Sequence, residues 1–190
     1  VGSGGVLSHA PRREQSAKML IDSFLPEGVT SLAVDSIFMM PQLGVMANIE
    51  NKKIAEQARV AALEVFEKDC LIRLGTCIAP VGKLNNSEKI LNVNLEFKNG
   101  DKKNIDIGFG DLIRIKVGYE KVKATLTPGK SVNVGAGFGE QINTEIYGGQ
   151  VGIIIDGRGR PLQIDQSSSK RIADLKKWSD AVDEYPELGK

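Results

Sequence analysis

The hydrophobic period of the chain changes once, near Asp69, and that change restricts what it can fold into. Before it, Ala17, Leu20, Ile21 and Phe24 form one apolar stripe and Ile54, Ala58, Ala61, Ala62 and Val65 another, as in helices that bury one face. After it, Leu91, Val93, Leu95 and Phe97 alternate with Asn92, Asn94 and Glu96, the period-2 pattern of a half-buried strand. The expected fold is therefore α+β or mixed: a small α/β part, then an all-β barrel or sandwich, then a C-terminal helix.

Local signals place the elements. Pro11 suits a first helical turn, where its missing N–H costs nothing, and predicts a helix over 12–24 that stops at Pro26-Glu27-Gly28. Ser31 to Val34 reads as a short buried strand followed by Asp35, and Pro41 opens a second helix through Ala47. A helix over 52–67 is expected to connect two domains. Asn99-Gly100 predicts a hairpin closed by a type I′ turn. Short strands follow at 112–117, 122–127, 131–134, 143–147 and 150–155, and Ile172, Leu175, Trp178 and Val182 mark the last helix, docked through Trp178. The resulting division is an α/β unit at 1–48, a linker helix at 49–69, a β-barrel-like domain at 70–165 and a helix at 166–190.

Composition removes several function classes. The 190 residues carry 25 Lys+Arg against 24 Asp+Glu, which argues against a protein that works by neutralising many phosphates of a nucleic acid. The longest apolar runs, such as Val151 to Ile155, are far shorter than the roughly 20 residues a membrane helix needs. The expected setting is cytosolic, with no membrane partner. Cys70, Cys77 and the single His9 show no zinc-binding spacing, and one histidine leaves one candidate base for nucleophilic catalysis. No metal ligands and no catalytic residues are assigned. The 21 glycines predict many tight turns.

Two motifs qualify as candidate sites. Gly2-Ser3-Gly4-Gly5 lies between a strand and a helix, where glycines let a ligand approach the backbone and a helix start offers N–H groups to an anion. It is equally readable as a plain turn. It is not a P-loop, because no Gly-Lys-Ser/Thr follows. Asp156-Gly157-Arg158-Gly159-Arg160-Pro161 follows an apolar strand, and Arg158 and Arg160 could clamp a carboxylate, a phosphate or a partner. The alternative is a turn in which Asp156 bonds its own backbone and the arginines are exposed. Cys77 reads as a buried inert thiol. Gly135 to Glu140 reads first as a close-packed loop and second as a phosphate cradle. Asp35 could hold a metal or a ribose, or cap a turn.

Val1 to His9, Pro41 to Ala47, Leu74-Gly75-Thr76, Ala79 to Gly82, Gly148-Gly149, and Val151 to Asp156 with Arg158 to Leu162, taken in order, resemble the C-terminal part of the glutamate (methylaspartate) mutase accessory protein L family. A start at Val1, inside a strand, fits a fragment.

The resemblance implies a parent of the actin-like ATPase superfamily, in which Gly2, Ser3, Gly4 and Gly5 contact the adenosine of ATP or ADP bound with Mg²⁺. It implies an ATP-dependent reactivating chaperone for an adenosylcobalamin-dependent mutase or aminomutase. The partners implied are the N-terminal part of the same protein and the mutase subunits. A non-enzymatic scaffold of the mutase complex is the alternative. The superfamily's Asp-x-Gly-x-Thr phosphate motifs do not occur in this sequence, so the fragment alone is expected neither to hydrolyse ATP nor to hold nucleotide tightly.

Overall fold

The computed structural model describes residues 1–84, 89–162 and 164–185. Its N-terminal part contains helices α1 (Gly5–Ser8), α2 (Arg13–Phe24), α3 (Met40–Ala47) and α4 (Ala55–Val65), strand β1 (Gly28–Asp35), and a π-helical turn, Phe66–Cys70, that extends α4. Nine strands follow: β2 (Leu71–Ala79), β3 (Val81–Gly82), β4 (Lys89–Glu96), β5 (Lys102–Gly108), β6 (Leu112–Ile115), β7 (Lys121–Pro128), β8 (Val132–Asn133), β9 (Ile142–Tyr147) and β10 (Gly152–Asp156). Helix α5 (Ser168–Ala181) is the last element among the described residues.

The strands form two four-stranded sheets and one short ribbon. The first sheet has the order β1-β2-β10-β6, the second is the antiparallel β5-β4-β7-β9, and β3 pairs with β8. In the first sheet β10 runs parallel to β2 and antiparallel to β6. Gly2 makes a parallel bridge to Val34, with Gly2 N–H on Ala33 O and Asp35 N–H on Gly2 O, both at 2.8 Å. The segment from Gly2 through α1 and α2 to β1 is thus a strand–helix–strand crossover on the outer edge of this sheet.

Three layers result. Helices α2 and α5 cover one face of the first sheet, where Ala17, Leu20, Ile21, Trp178 and Val182 pack on Leu32, Val34, Cys77, Ala79 and Ile154. The second sheet covers the other face, where Ile78, Ile153 and Ile155 meet Leu91, Val93, Leu95 and Leu126. β10 is buried along its whole length, which accounts for its unbroken apolar sequence. The α+β class expected from the sequence holds. The β elements form facing open sheets and not a closed barrel.

A bulge shared by the two central strands sets this layering. Leu32 lies opposite Gly75 and Ala33 opposite Arg73, so Leu74 is an additional residue on β2. Leu74 and Cys77 both face the helices although they are three apart, while Thr76 and Ile78 face the second sheet. On β10, Val151 and Ile154 repeat that phase change around Gly152. Gly75 and Gly152 are directly paired, with φ of 140° and 107°. A Cβ on Gly75 would lie 1.7 Å from Gly152 O, and one on Gly152 would lie 2.2 Å from Ile115 O. Part of the glycine content read as turns from the sequence therefore serves close backbone approach inside the sheet.

Two other expectations change. The 91–107 hairpin forms, but its turn is not type I′. Gly100 N–H bonds Phe97 O, Phe97 N–H bonds Asp101 O, and only Gly100 has positive φ. That is a three-residue loop with Gly100 in the left-handed position, and Asn99 Oδ1 accepts the Asp101 N–H at 3.0 Å. The helix read as a linker at 49–69 is one arm of a helical hairpin, α3–α4, inserted between strands that pair with each other. Strand pairing between β1 and β2 crosses the boundary drawn at 48–70.

Gly75→Ala is expected to lower the unfolding free energy by about 3 kcal/mol or more. Gly118→Ala, where a Cβ meets no atom within 4 Å, should change it by less than about 0.5 kcal/mol. Urea titration of both variants checks the pair.

Candidate functional site

The two candidate motifs lie at opposite ends of the first sheet. Gly2 to Gly5 sit beside the C-terminal end of β1, and Arg158 and Arg160 beyond the C-terminal end of β10, which lies level with the start of β1 across the intervening β2.

At the first end, each residue of the turn has its own role. A Cβ on Gly2 would meet Leu20 Cδ2 at 2.7 Å and Leu7 Cδ1 at 2.8 Å, so a side chain here would have to displace the ends of these two leucines. Gly4 adopts φ 111° and ψ 156°, open chiefly to glycine. Gly5 begins α1, and a Cβ at Gly4 or Gly5 would meet nothing within 4 Å. Ser3 Oγ donates to Asp35 Oδ2 at 3.1 Å, and Ser8 Oγ donates to Asp35 O.

Asp35 itself is buried and faces the start of α3, where its Oδ1 accepts the Met39 N–H at 3.1 Å and its Oδ2 the Met40 N–H at 2.8 Å. Burial pushes this carboxyl up. The N–H groups of Met40, Met39 and Ile37 and the Ser3 hydroxyl outweigh it and hold the group below the usual carboxylate range. The capping reading of Asp35 is the one the structure bears out.

At the second end, the expectation of exposed arginines is corrected. Arg158 and Asp156 are both buried. Arg158 Nε donates to Asp156 Oδ1 at 2.9 Å and Nη2 to Asp156 Oδ2 at 2.8 Å, a bidentate pair, and Nη2 also reaches Asp22 Oδ1 at 2.8 Å. Arg160 Nη2 donates to Asp156 Oδ2 at 2.9 Å and its Nε to Pro26 O at 3.1 Å. The Trp178 ring lies 5.1 Å from the Arg158 guanidinium carbon, and Trp178 Nε1 donates to Gly110 O at 2.9 Å. Arg158 Nη1 is buried and lacks a hydrogen-bond acceptor.

These groups tie β10 to α2 and α5. Burial penalises the Asp156 carboxylate, yet the hydrogen bond and charge of Arg158, then the charge of Arg160, keep its pKa depressed. Arg158 is held protonated by Asp156 and Asp22 against the same burial.

The remaining motifs resolve individually. Burial, then the Asp156 charge, pushes the Cys77 thiol up to about 12, and Cys77 is the buried inert thiol the sequence indicates. In the Gly135 to Glu140 loop, Asn133 Oδ1 accepts the N–H groups of Gly135 at 2.7 Å and Gly137 at 3.0 Å, filling the concavity a phosphate would need. His9 is exposed. Among the described residues, no group of three or more His, Cys, Asp or Glu is placed to hold a metal ion, and no helix is long and apolar enough to cross a membrane.

Sequence reasoning missed Asp22 and Arg114. Asp22 occupies the last turn of α2, 136 residues before Arg158. Arg114 pairs with Glu14 at 2.9 Å and donates to Val151 O and Val182 O, joining β6 to α2 and the end of α5. One signal was available: in extended backbone, positions 156, 158 and 160 share a face.

Comparison with known proteins adds one finding. Residues 1–67 match a family model described as MutL protein. The match covers the glycine turn, α1 to α4 and β1. The chain matches no curated protein and no solved structure.

Asp156→Asn leaves two buried guanidinium groups short of their counter-charge and should cost about 3–5 kcal/mol at neutral pH. Because the folded pKa of Asp156 is depressed, its stabilisation is complete above the ordinary carboxylate pKa and is lost as pH falls through the lower folded value. Urea midpoints measured from neutral to acidic pH should show a shallower acid decline in Asp156→Asn than in the parent chain. Native Cys77 should resist a thiol reagent until denaturant opens the fold.

Proposed function

We propose that this chain belongs to an accessory protein that acts in the cytoplasm on an adenosylcobalamin-dependent mutase or aminomutase. The observation that carries the reading is the match of residues 1–67 to the MutL protein family model, together with the ordered motifs that resemble the glutamate mutase accessory family. The partners are then the mutase subunits and further parts of the same accessory protein.

The finer reading is an ATP-dependent reactivating chaperone of actin-like ancestry. The turn at Gly4 and Gly5 fits a contact with the base end of a nucleotide, because the space beside both glycines is open and the first N–H groups of α1 border it. ATP bound with Mg²⁺ would supply the free-energy difference between two arrangements of the parent protein. The residues of this chain would orient the adenosine. They do not supply the metal ligands, since Asp35 is engaged by Met39, Met40 and Ser3.

A scaffold role is the second reading. It is favoured by the outer face of the second sheet, a polar surface on which Asn92, Asn94 and Asn104 bond one another in a closed amide network. Such a face can meet a protein partner without nucleotide.

Two measurements separate these readings. Immobilised chain should capture purified adenosylcobalamin-dependent mutase subunits, and failure to do so removes the mutase assignment. The full-length accessory protein should restore a cobalamin-inactivated mutase only with Mg-ATP, and Gly5→Leu, whose Cβ meets no atom within 4 Å, should weaken ATP binding roughly tenfold or more. Capture without any ATP dependence selects the scaffold.

A further inference from the structure

Helices α3 and α4 leave the first sheet after Asp35, pack on each other, and return to the sheet at Leu71. Among the described residues, neither of the two apolar clusters that join the layers includes a side chain from Ser36 through Cys70. The ion pairs Glu56–Arg59 and Glu64–Lys68 also stay within the hairpin. It is therefore held to the body at its base.

The base is built from few groups. Ser36 donates both its N–H and its hydroxyl to Cys70 O, each at 2.8 Å, which ties the two legs together. Asp35 accepts the Met39 N–H on Oδ1 and the Met40 N–H on Oδ2. Both legs have irregular backbone. Phe38 has φ of 58°, a left-handed conformation that a bulky residue rarely adopts, and Phe66–Cys70 is a π-helical turn. Such segments recur at hinges and switch regions.

Asp35 also faces the glycine turn. Its Oδ2 accepts the Ser3 hydroxyl at 3.1 Å as well as the Met40 N–H at 2.8 Å. The residue is fully buried, so solvent does not stand in for either donor. A single carboxylate oxygen thus joins the first turn of α3 to the turn that borders the open space at Gly4 and Gly5.

We propose that Asp35 is a positioning residue that couples the glycine turn to a hinged lever, the α3–α4 hairpin. While Ser3 donates to it, the carboxylate is fixed and holds the hairpin in one setting. A ligand that draws the Ser3 hydroxyl to itself removes that donor, leaves the carboxylate held by α3 alone, and lets the hairpin swing about Ser36 to Met39 and Phe66–Cys70. By linkage, whatever restrains the hairpin changes the affinity for that ligand by the same factor. The identity of the ligand as a nucleotide rests on the accessory-protein reading, and the coupling through Asp35 does not.

Amide hydrogen exchange of the 190-residue chain tests the coupling. Ser3→Ala removes only a hydroxyl. It should speed exchange of the Met39, Met40 and Leu43 N–H groups about tenfold and leave the Ile78 and Ile154 amides of β2 and β10 unchanged. Ser3→Thr keeps the hydroxyl and should restore the parent rates. Unchanged α3 exchange in Ser3→Ala overturns the proposal, and so does an equal rise in the strands, which would mark a loss of global stability only. In the full-length accessory protein, Mg-ATP should speed the same three amides in the parent and have no further effect in Ser3→Ala. ATP that binds by calorimetry without this change overturns the coupling. Absence of ATP binding overturns the nucleotide reading instead, and the exchange of the chain alone then decides the hinge.

Discussion

The paired bulge at Gly75 and Gly152 is the constraint from which the rest of the structure follows. In a regular strand, side chains alternate between faces without interruption. An additional residue at Leu74, matched by the phase change around Gly152, lets β2 and β10 place apolar groups correctly on both sides of the first sheet. Without it, Leu74 or Cys77 would face the wrong layer. A side chain at Gly75 would strike the backbone of β10 and one at Gly152 the backbone of β6, so the site is committed to glycine on both strands.

That phase also orients the end of β10. Ile154 faces the helices, and Asp156 and Arg158 continue on the same side as the strand runs out. Arg158 is thereby placed between α2, through Asp22, and α5, through Trp178. A buried ion pair is weak grounds for net stability, because desolvation offsets much of the attraction. Its clearer effect is geometric: the bidentate fork accepts only one orientation of the two carboxylates. The helical layer is thus located by a polar contact in addition to its apolar packing.

The two ends of the first sheet differ in what they leave open. At the Arg158 end nearly all polar atoms are consumed internally, so an arginine pair that could clamp a ligand is a structural clasp. At the glycine end the backbone is open beside Gly4 and Gly5, and the α3–α4 hairpin projects with its apolar surface uncovered. Features that look outward gather at the glycine end, which is also the region that matches the MutL protein family model.

Much was legible in the residues alone: the change of period near Asp69, the α2 and α5 stripes, the 91–107 hairpin, the docking of Trp178 and the inertness of Cys77. These depend on local spacing or on burial of apolar groups, and such information is carried within a few residues. The tertiary structure alone decided that β1 pairs with β2 across an inserted helical hairpin, that Asp22 meets Arg158, that Asn133 fills the glycine loop, and that the linker helix is an arm of that hairpin. Each joins groups distant in sequence or selects among partners that local chemistry allows equally. A charged or amide side chain takes whichever counter-group the packing of the apolar layers brings to it.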